Sequence, residues 1–388
     1  MRLRTVYITM RRQNKDGIII INFIGRKGGG AVDAYETTKA LIKLKQRVIP
    51  VLSDKIENKK LWEELGCEKI IFLEAYDGIV SFIRKSLFFF ESSKKIKKEL
   101  RGIRVKAVYV PMVGPWTGKI NRMFPDTKQI ISCHDPFPHS GKDRLIYKAC
   151  WHMYDSADIV IARSKKFVPY LEKRFKDVRY LPLGPQNMYR QLNSSQPVIS
   201  YPDDKINFLF FGRIDQYKGI DILLKAYAAA EQKYCGQTAL TIAGNGSLRK
   251  YYKYMKKLKN ICIVNRWIKD DEIASVFAGK NLVTVCPYKD ATQSGVVLSS
   301  YNFGVPVIAA DTGALGEQVL HGKTGLLIEK NNAKALADAM GKFVCAPEMI
   351  KEMKTCIADY LLEISWDKNA EKLIHMMDGS CRYGKRSL

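Results

Sequence analysis

An arginine and a lysine flank the turn that leaves one apolar run of this chain. In NFLFFGRIDQYKG (207–219), Gly212 lets the backbone turn, and Arg213 and Lys218 follow within the same loop. A guanidinium can hold phosphate oxygens at two points, and an ammonium adds a compact point charge. An isolated pair of this kind is also compatible with a solvated basic loop, so its surroundings decide. A second glycine-rich turn, AGNGS (243–247), follows another apolar run. A third, in ATQSGVVLSSYNFG (291–304), places Ser294 and Gly295 at the opening of a helix whose first N–H groups can bind an anion. Three phosphate-compatible turns in one half of the chain point to a nucleoside diphosphate. Elsewhere, SCHDPFPHSG (132–141) follows a short apolar run and contains two prolines, which makes it a rigid loop. His134 in that loop is either a structural histidine or a substrate contact. Asp135 either orients it or acts on an acceptor hydroxyl. His139 lies in the same loop, and no cysteine or histidine stands at the spacing a zinc site needs.

The elements that must position these residues are short apolar strands alternating with amphipathic helices. In the first half the strands read GIIIINFIG (17–25), VIPVL (48–52), KIIFL (69–73), VKAVYV (105–110), QIISC (129–133) and DIVIARS (158–164), and VRYLPLG (178–184) leads into the linker. The second half repeats the scheme with INFLFFG, ALTIAG, ICIVN, NLVTVCPY, VPVIAAD and GLLIE. Such alternation predicts parallel sheets with helices on both faces. It predicts two α/β Rossmann-like domains with a cleft between them, and ligands beyond the carboxyl ends of the strands. The expected boundaries are a tail over 1–16, a first domain over 17–185, a Pro/Ser/Asn/Gln-rich linker over 186–205 and a second domain over 206–363. A closing helix and tail over 364–388 complete the chain.

Composition narrows the partner. The chain has 388 residues and a formal net charge of +25, most of it in residues 1–190, where 38 Lys/Arg face 19 Asp/Glu. That excess calls for an anionic partner: nucleic acid, anionic lipid or a phosphorylated substrate. The basic residues fall in no recognised nucleic-acid module, and a phosphorylated substrate accounts for them. No apolar run approaches the length of a membrane span, and the basic N-terminus has no signal-peptide core. Nine scattered cysteines, an odd number with no CxxC pair, fit a reducing cytoplasm better than a disulfide framework.

The set GRIDQYKG, AGNGS, NRWIKDDEIASVFAGKNLVTVCPY, SGVVLSSYNFGVPVIAADTGALGEQV and HGKTGLLI resembles, in order, the donor-binding half of the GT-B glycosyltransferases of family 4. In the first half, GRKGGGAVDAYETTKAL and SCHDPFPHSG resemble the family's glycine-rich loop and histidine segment. ISWDKNAEKLIHMM (364–377) resembles its closing helix, which crosses back onto the first domain. The resemblance implies that Arg213 and Lys218 bind the donor diphosphate, with Ser294, Gly295 and Val296 supplying helix-start donors. Gly244 and Asn245 would border the nucleotide, and the backbone around Arg266, Trp267 and Ile268 would meet the base. Gly29 and Gly30 would close on the phosphate or the acceptor, and His134 would sit near the transferred sugar. Gly212, Gln293 and Ser299 complete the implied donor set.

Two glutamates eight positions apart are common in that family. Counting back from Gly304, Val305 and Pro306, those positions hold Ala291 and Ser299 here. Their absence leaves donor identity open and raises an alternative, a catalytically weak or inactive GT-B scaffold. Glu317, further along, reads as a helix cap or a partial substitute. No D-x-D triplet occurs. Expected, then, is a retaining glycosyltransferase using no metal and no cofactor. It would move a sugar from a UDP- or GDP-linked donor to a glycan or a polyprenyl-diphosphate-linked acceptor in cell-surface polysaccharide assembly. Residues 79–106 mix Phe82, Leu87, Phe88, Phe89 and Phe90 with a lysine-rich run. They read either as a helix whose aromatics enter the core or as an element lying on an anionic membrane surface, which would put the enzyme at the inner face of the cell membrane.

Overall fold

The computed structural model describes residues 17–137, 151–192 and 197–379. The expected tail over 1–16, the end of the histidine segment with His139, and residues 380–388 lie outside them. The described chain divides into two compact units. The first holds residues up to Pro136, then 151–183 and 366–379, and the second holds Phe137 and 184–365.

The first unit is built on a seven-stranded parallel sheet. Its strands are β1 (Ile18–Phe23), β2 (Val48–Ser53), β3 (Ile71–Leu73), β4 (Val105–Val110), β5 (Lys128–Cys133), β6 (Ile159–Ala162) and β7 (Val178–Tyr180), in the order β3-β2-β1-β4-β5-β6-β7. All six residues of β1 are buried, which is what an IIIINF run requires when both faces of the sheet are covered. Helix α1 (Gly29–Lys43) follows β1, while α2 (Ile79–Leu87) and α3 (Phe89–Glu99) join β3 to β4. The helical pattern expected over 79–106 is therefore two helices broken at Phe88, and its last residues begin β4.

The second unit is a six-stranded parallel sheet of β8 (Ile206–Phe211), β9 (Thr238–Ala243), β10 (Ile261–Val264), β11 (Leu282–Cys286), β12 (Val307–Ala310) and β13 (Gly325–Ile328), in the order β10-β9-β8-β11-β12-β13. Helices α4 (Ile220–Lys233), α5 (Gly295–Asn302), α6 (Ala333–Cys345) and α7 (Met349–Glu363) flank it. Residues 186–192, expected to be linker, instead pack into this unit. Met188 and Tyr189 are buried, and the Gln186 backbone carbonyl accepts from Asn302 Nδ2 at 3.1 Å.

The closing helix α8 (Trp366–Met377) belongs to the first unit. It packs along α1, where Lys43 pairs with Asp367, and Asn369 Nδ2 donates to the carbonyl of Pro182 at 3.0 Å. Trp366, Ala370, Leu373 and Met377 form its buried stripe, at the spacing of one helix face.

Candidate functional site

In each sheet the strand order reverses once, between β1 and β4 and between β8 and β11. In open parallel sheets, ligands bind beyond the carboxyl ends of the strands at such a switch point. The segments after β8 and β11 carry Gly212, Arg213 and Lys218 on one side and Gln293 to Val296 on the other.

In the second unit these two loops are locked to each other. The Lys289 N–H donates to the Tyr217 carbonyl at 2.8 Å. Gly219 has φ +71°, and a Cβ there would stand 1.9 Å from the Pro287 carbonyl oxygen, so only glycine allows this approach. Lys218 Nζ lies 3.7 Å from the centroid of the buried Tyr288 ring, a cation–π contact that ties the ammonium to the β11 loop. Arg213 is exposed, and its Nη2 donates to Tyr217 Oη at 3.3 Å. Both cations thus hang on tyrosines of the two loops.

The start of α5 completes this cluster. Ser294 takes the N-cap position, but its hydroxyl makes no capping bond and lies 3.4 Å from Tyr288 Oη. Gln318 holds Ser294 from both sides, accepting from its N–H at 2.8 Å and donating to its carbonyl at 3.2 Å. A Cβ on Gly212 would lie 3.4 Å from Val296 Cγ2, which puts the β8 turn against the first turn of α5. Gln293 is half-buried just before it. A helix start with its partial positive charge, beside a lysine and an arginine, can hold a diphosphate.

The turn after β9 is stitched to the same place. Gly244, at φ +152°, lies so close that a Cβ would stand 1.8 Å from the Gly212 carbonyl oxygen, and the Ile214 N–H donates to the Asn245 carbonyl at 2.8 Å. The segment after β10 joins on, since Gly246 N–H donates to Asn265 Oδ1 at 3.3 Å. Beyond this point two of the three side chains of the expected base segment are engaged within the unit, which leaves its backbone for the base. The Arg266 guanidinium is committed to a two-point ion pair with Glu272 at 2.7 and 2.8 Å, and the Ile268 side chain is buried. Trp267 remains accessible.

Ser299 is corrected as well. It is buried on α5, and its hydroxyl is engaged with Gln186 Oε1 and with the Gly295 carbonyl at 3.0 Å, so it braces the helix rather than meeting a ligand. Ala291 is also buried. Ala314, not Glu317, occupies the N-cap of the short helix Leu315–Gln318, with Glu317 in its first turn. Burial pushes the Cys286 thiol, beneath the crevice, up to about 11, so it is a neutral packing group.

In the first unit, Gly29 is the exposed first residue of α1, with open space where a Cβ would stand. Gly30 is buried against Phe23 and Met112, so it serves the packing of α1 on the sheet. His134 follows β5 and is buried. Its Nε2 lies 2.8 Å from the Pro111 carbonyl, which can only accept, so Nε2 carries the proton. The carboxylate beside it is Asp33 of α1, at 3.2 Å, whereas Asp135, expected to orient it, is exposed.

Asp33 anchors a buried network that the sequence did not reveal. Arg163, one residue past β6, pairs with Asp33 through Nη2, which also donates to Tyr109 Oη at 2.8 Å, and Nη1 donates to the Pro182 carbonyl at 3.3 Å. Thr37 Oγ1 donates to Asp33 Oδ1 at 3.0 Å. Burial alone would raise the Asp33 pKa, but the Arg163 charge and the His134 hydrogen bond outweigh it and hold the carboxyl below its ordinary range. The same pairing holds Arg163 firmly protonated against burial. The signals were a charged residue closing an IVIAR strand and an acid inside the apolar stripe of α1, but nothing local shows that the two meet.

Two parallel-sheet Rossmann-like units, each with a crevice at its switch point, define the GT-B class of fold. Solved structures agree at the level of fold. Sucrose-phosphate synthase from Thermosynechococcus elongatus superposes with a TM-score of 0.68 at 18% identity, covering 93% of this chain and 98% of that one. HepE of Anabaena, solved with UDP, gives 0.65 at 15% identity, covering 94% and 100%. Residues 194–357, about four-tenths of the chain, match the family model of the glycosyl transferases group 1. Among curated relatives, the D-inositol 3-phosphate glycosyltransferase of Corynebacterium jeikeium is 27% identical over 173 residues, which is 42% of this chain and 41% of the relative. An uncharacterized glycosyltransferase of Methanocaldococcus jannaschii is 28% identical over 234 residues, 59% of this chain and 61% of that protein. The chain therefore spans about four- to six-tenths of the length of these relatives. Among the described residues no helix is long and apolar enough to cross a membrane.

Proposed function

We propose that this protein is a retaining glycosyltransferase, independent of metal, that moves a sugar from a nucleoside-diphosphate donor to a glycan or lipid-linked acceptor in cell-surface polysaccharide assembly. The observation that carries the proposal is the convergence of Arg213, Lys218 and the start of α5 on one switch-point crevice. As the bond from the anomeric carbon to the diphosphate oxygen breaks, the electron pair leaves with the diphosphate. Two fixed cations and a helix start stabilise that charge as it develops. The acceptor hydroxyl forms the new bond on the face the diphosphate leaves, and its proton passes to the departing oxygen. UDP is the first nucleotide to test, because HepE, similar in fold, was solved with it. The acceptor would be met at the inner face of the cell membrane, with the first unit presenting Gly29 and the His134 loop to it.

A second reading, a scaffold that binds nucleotide without turnover, is favoured by Ala291 and Ser299, where the family resemblance implies glutamates. A donor panel with product NMR separates the two. Release of nucleoside diphosphate with retention at the anomeric carbon supports the enzyme. UDP or GDP binding with no donor consumed supports the scaffold, and neither binding nor turnover overturns both.

A further inference from the structure

The helices α2 and α3 expose an apolar face that the proposed chemistry does not use. On α2, Ile79 is 80% exposed, Val80 83% and Leu87 75%, with Ile83 between them. These residues recur at three- and four-residue steps and so line one side of the helix. The opposite side is the anchored one. Phe82 packs on Tyr76 and Trp116, and Ser86 accepts from Trp116 Nε1 at 2.8 Å while its carbonyl accepts from Lys119 at 2.6 Å. The helix is thus fixed in place with its hydrophobic side turned outward. A contiguous exposed apolar stripe of this kind marks an interaction surface.

The break at Phe88 extends the stripe. Phe88 and Phe90 are both more than half exposed, and their rings lie 6.2 Å apart, while Phe89 between them is buried in the core. Along α3 the face that starts at Phe90 becomes basic. Lys94, Lys97, Lys98 and Arg101 are all exposed, and Lys94 Nζ sits 5.3 Å from the Phe90 ring centroid. Residues 79–106 hold nine Lys/Arg against two Asp/Glu.

We propose that this surface docks on an anionic lipid bilayer. Ile79, Val80, Ile83, Leu87, Phe88 and Phe90 enter the boundary between head groups and acyl chains, and the lysines of α3 meet the lipid phosphates. Charge selects this occupant. A second copy of the chain would bring an equally basic face against this one, whereas an anionic membrane complements it. The geometry also orients the first unit. The residues that hold Ser86 follow β4, so α2 lies at the carboxyl end of the sheet, the end that carries Gly29 and the His134 loop. A lipid-linked acceptor would then be presented to those loops. That last step rests on the proposed transferase activity, while docking itself does not.

Flotation of the full chain tests docking without any substrate. Wild-type protein is expected to float with phosphatidylglycerol-rich vesicles and not with phosphatidylcholine alone. The double variant Val80→Asp/Leu87→Asp should lower the bound fraction about tenfold or more, since it puts charge into the inserted face. Both side chains are largely exposed, so the variant should keep the wild-type thermal midpoint, which checks that it folds. Three results overturn the proposal: no flotation with anionic vesicles, flotation that the double variant leaves intact, or a concentration-dependent dimer without lipid that the double variant dissolves. Donor turnover in solution is measured separately, so failure to dock and failure to catalyse are distinguishable.

Discussion

Replacing Arg163 by methionine is the sharpest test of how the first unit is held together. The Asp33 side chain is wholly buried and that of Arg163 nearly so, at 0% and 1% exposure. Methionine removes the cation and leaves Asp33 with Thr37 and His134 but no compensating charge. It also leaves Tyr109 Oη and the Pro182 carbonyl without their donor. Breaking a buried ion pair from one side costs about 3–5 kcal/mol. In a unit of this size that corresponds to a fall in thermal midpoint of roughly 10 °C. The exposed Lys43–Asp367 pair, by contrast, should contribute at most about 1 kcal/mol. Tryptophan emission is a suitable probe, because Trp62, Trp116, Trp151 and Trp366 lie in the first unit and only Trp267 in the second. The double variant Asp33→Leu/Arg163→Met should recover much of the loss, since no orphan charge remains. Acid gives an independent check. The folded pKa of Asp33 lies below its unfolded value, so the pair's contribution is complete above the unfolded carboxylate pKa of about 4 and is lost as pH falls through the folded one. The emission midpoint should therefore drop more steeply in acid for wild type than for Asp33→Asn. An Arg163→Met protein within about 1 kcal/mol of wild type, with an unchanged acid profile, would refute the reasoning.

Other changes probe the second unit. Arg213→Ala and Lys218→Ala should each lower kcat about 10²–10³-fold in the donor assay, with little effect on unfolding for the exposed Arg213. Ser299→Ala should cost about 1–3 kcal/mol in denaturant melts, by leaving Gln186 short of a partner, while the Kd for UDP in calorimetry stays within about twofold. A large loss of nucleotide affinity would restore Ser299 as a ligand contact. Gly219→Ala should destabilise by more than about 2 kcal/mol, because its Cβ would strike the Pro287 carbonyl at a positive φ. Wild-type stability there would show that the two loops are not locked together.

Twelve of the thirteen strands among the described residues were legible as apolar runs, and β1 shows why: a strand buried on both faces is apolar almost throughout, whereas the half-buried β7 (Val178–Tyr180) carries no such signal. The phosphate-compatible turns were legible for a related reason. Glycine at a strand exit, followed by a cation at Gly212 and by a helix start at Ser294 and Gly295, is a local pattern, and parallel topology brings carboxyl-end loops to one edge. Residues 186–205 read as linker from their polar composition, which hid what Gln186, Met188 and Tyr189 do. Their partners are distant in sequence, so no window around them could show it.

Sequence by itself determined the class of fold and the position of the glycine-bearing turns at the strand exits, because both follow from periodicity and from residue types at neighbouring positions. It left undecided which carboxylate stands beside His134, whether Ser299 looks outward or inward, and which aromatics of 79–106 enter the core. Tertiary structure decided these in favour of Asp33, of the interior, and of Phe82 and Phe89. Each answer depends on which side chain fills the space opposite, and that space is created only when segments far apart along the chain pack together.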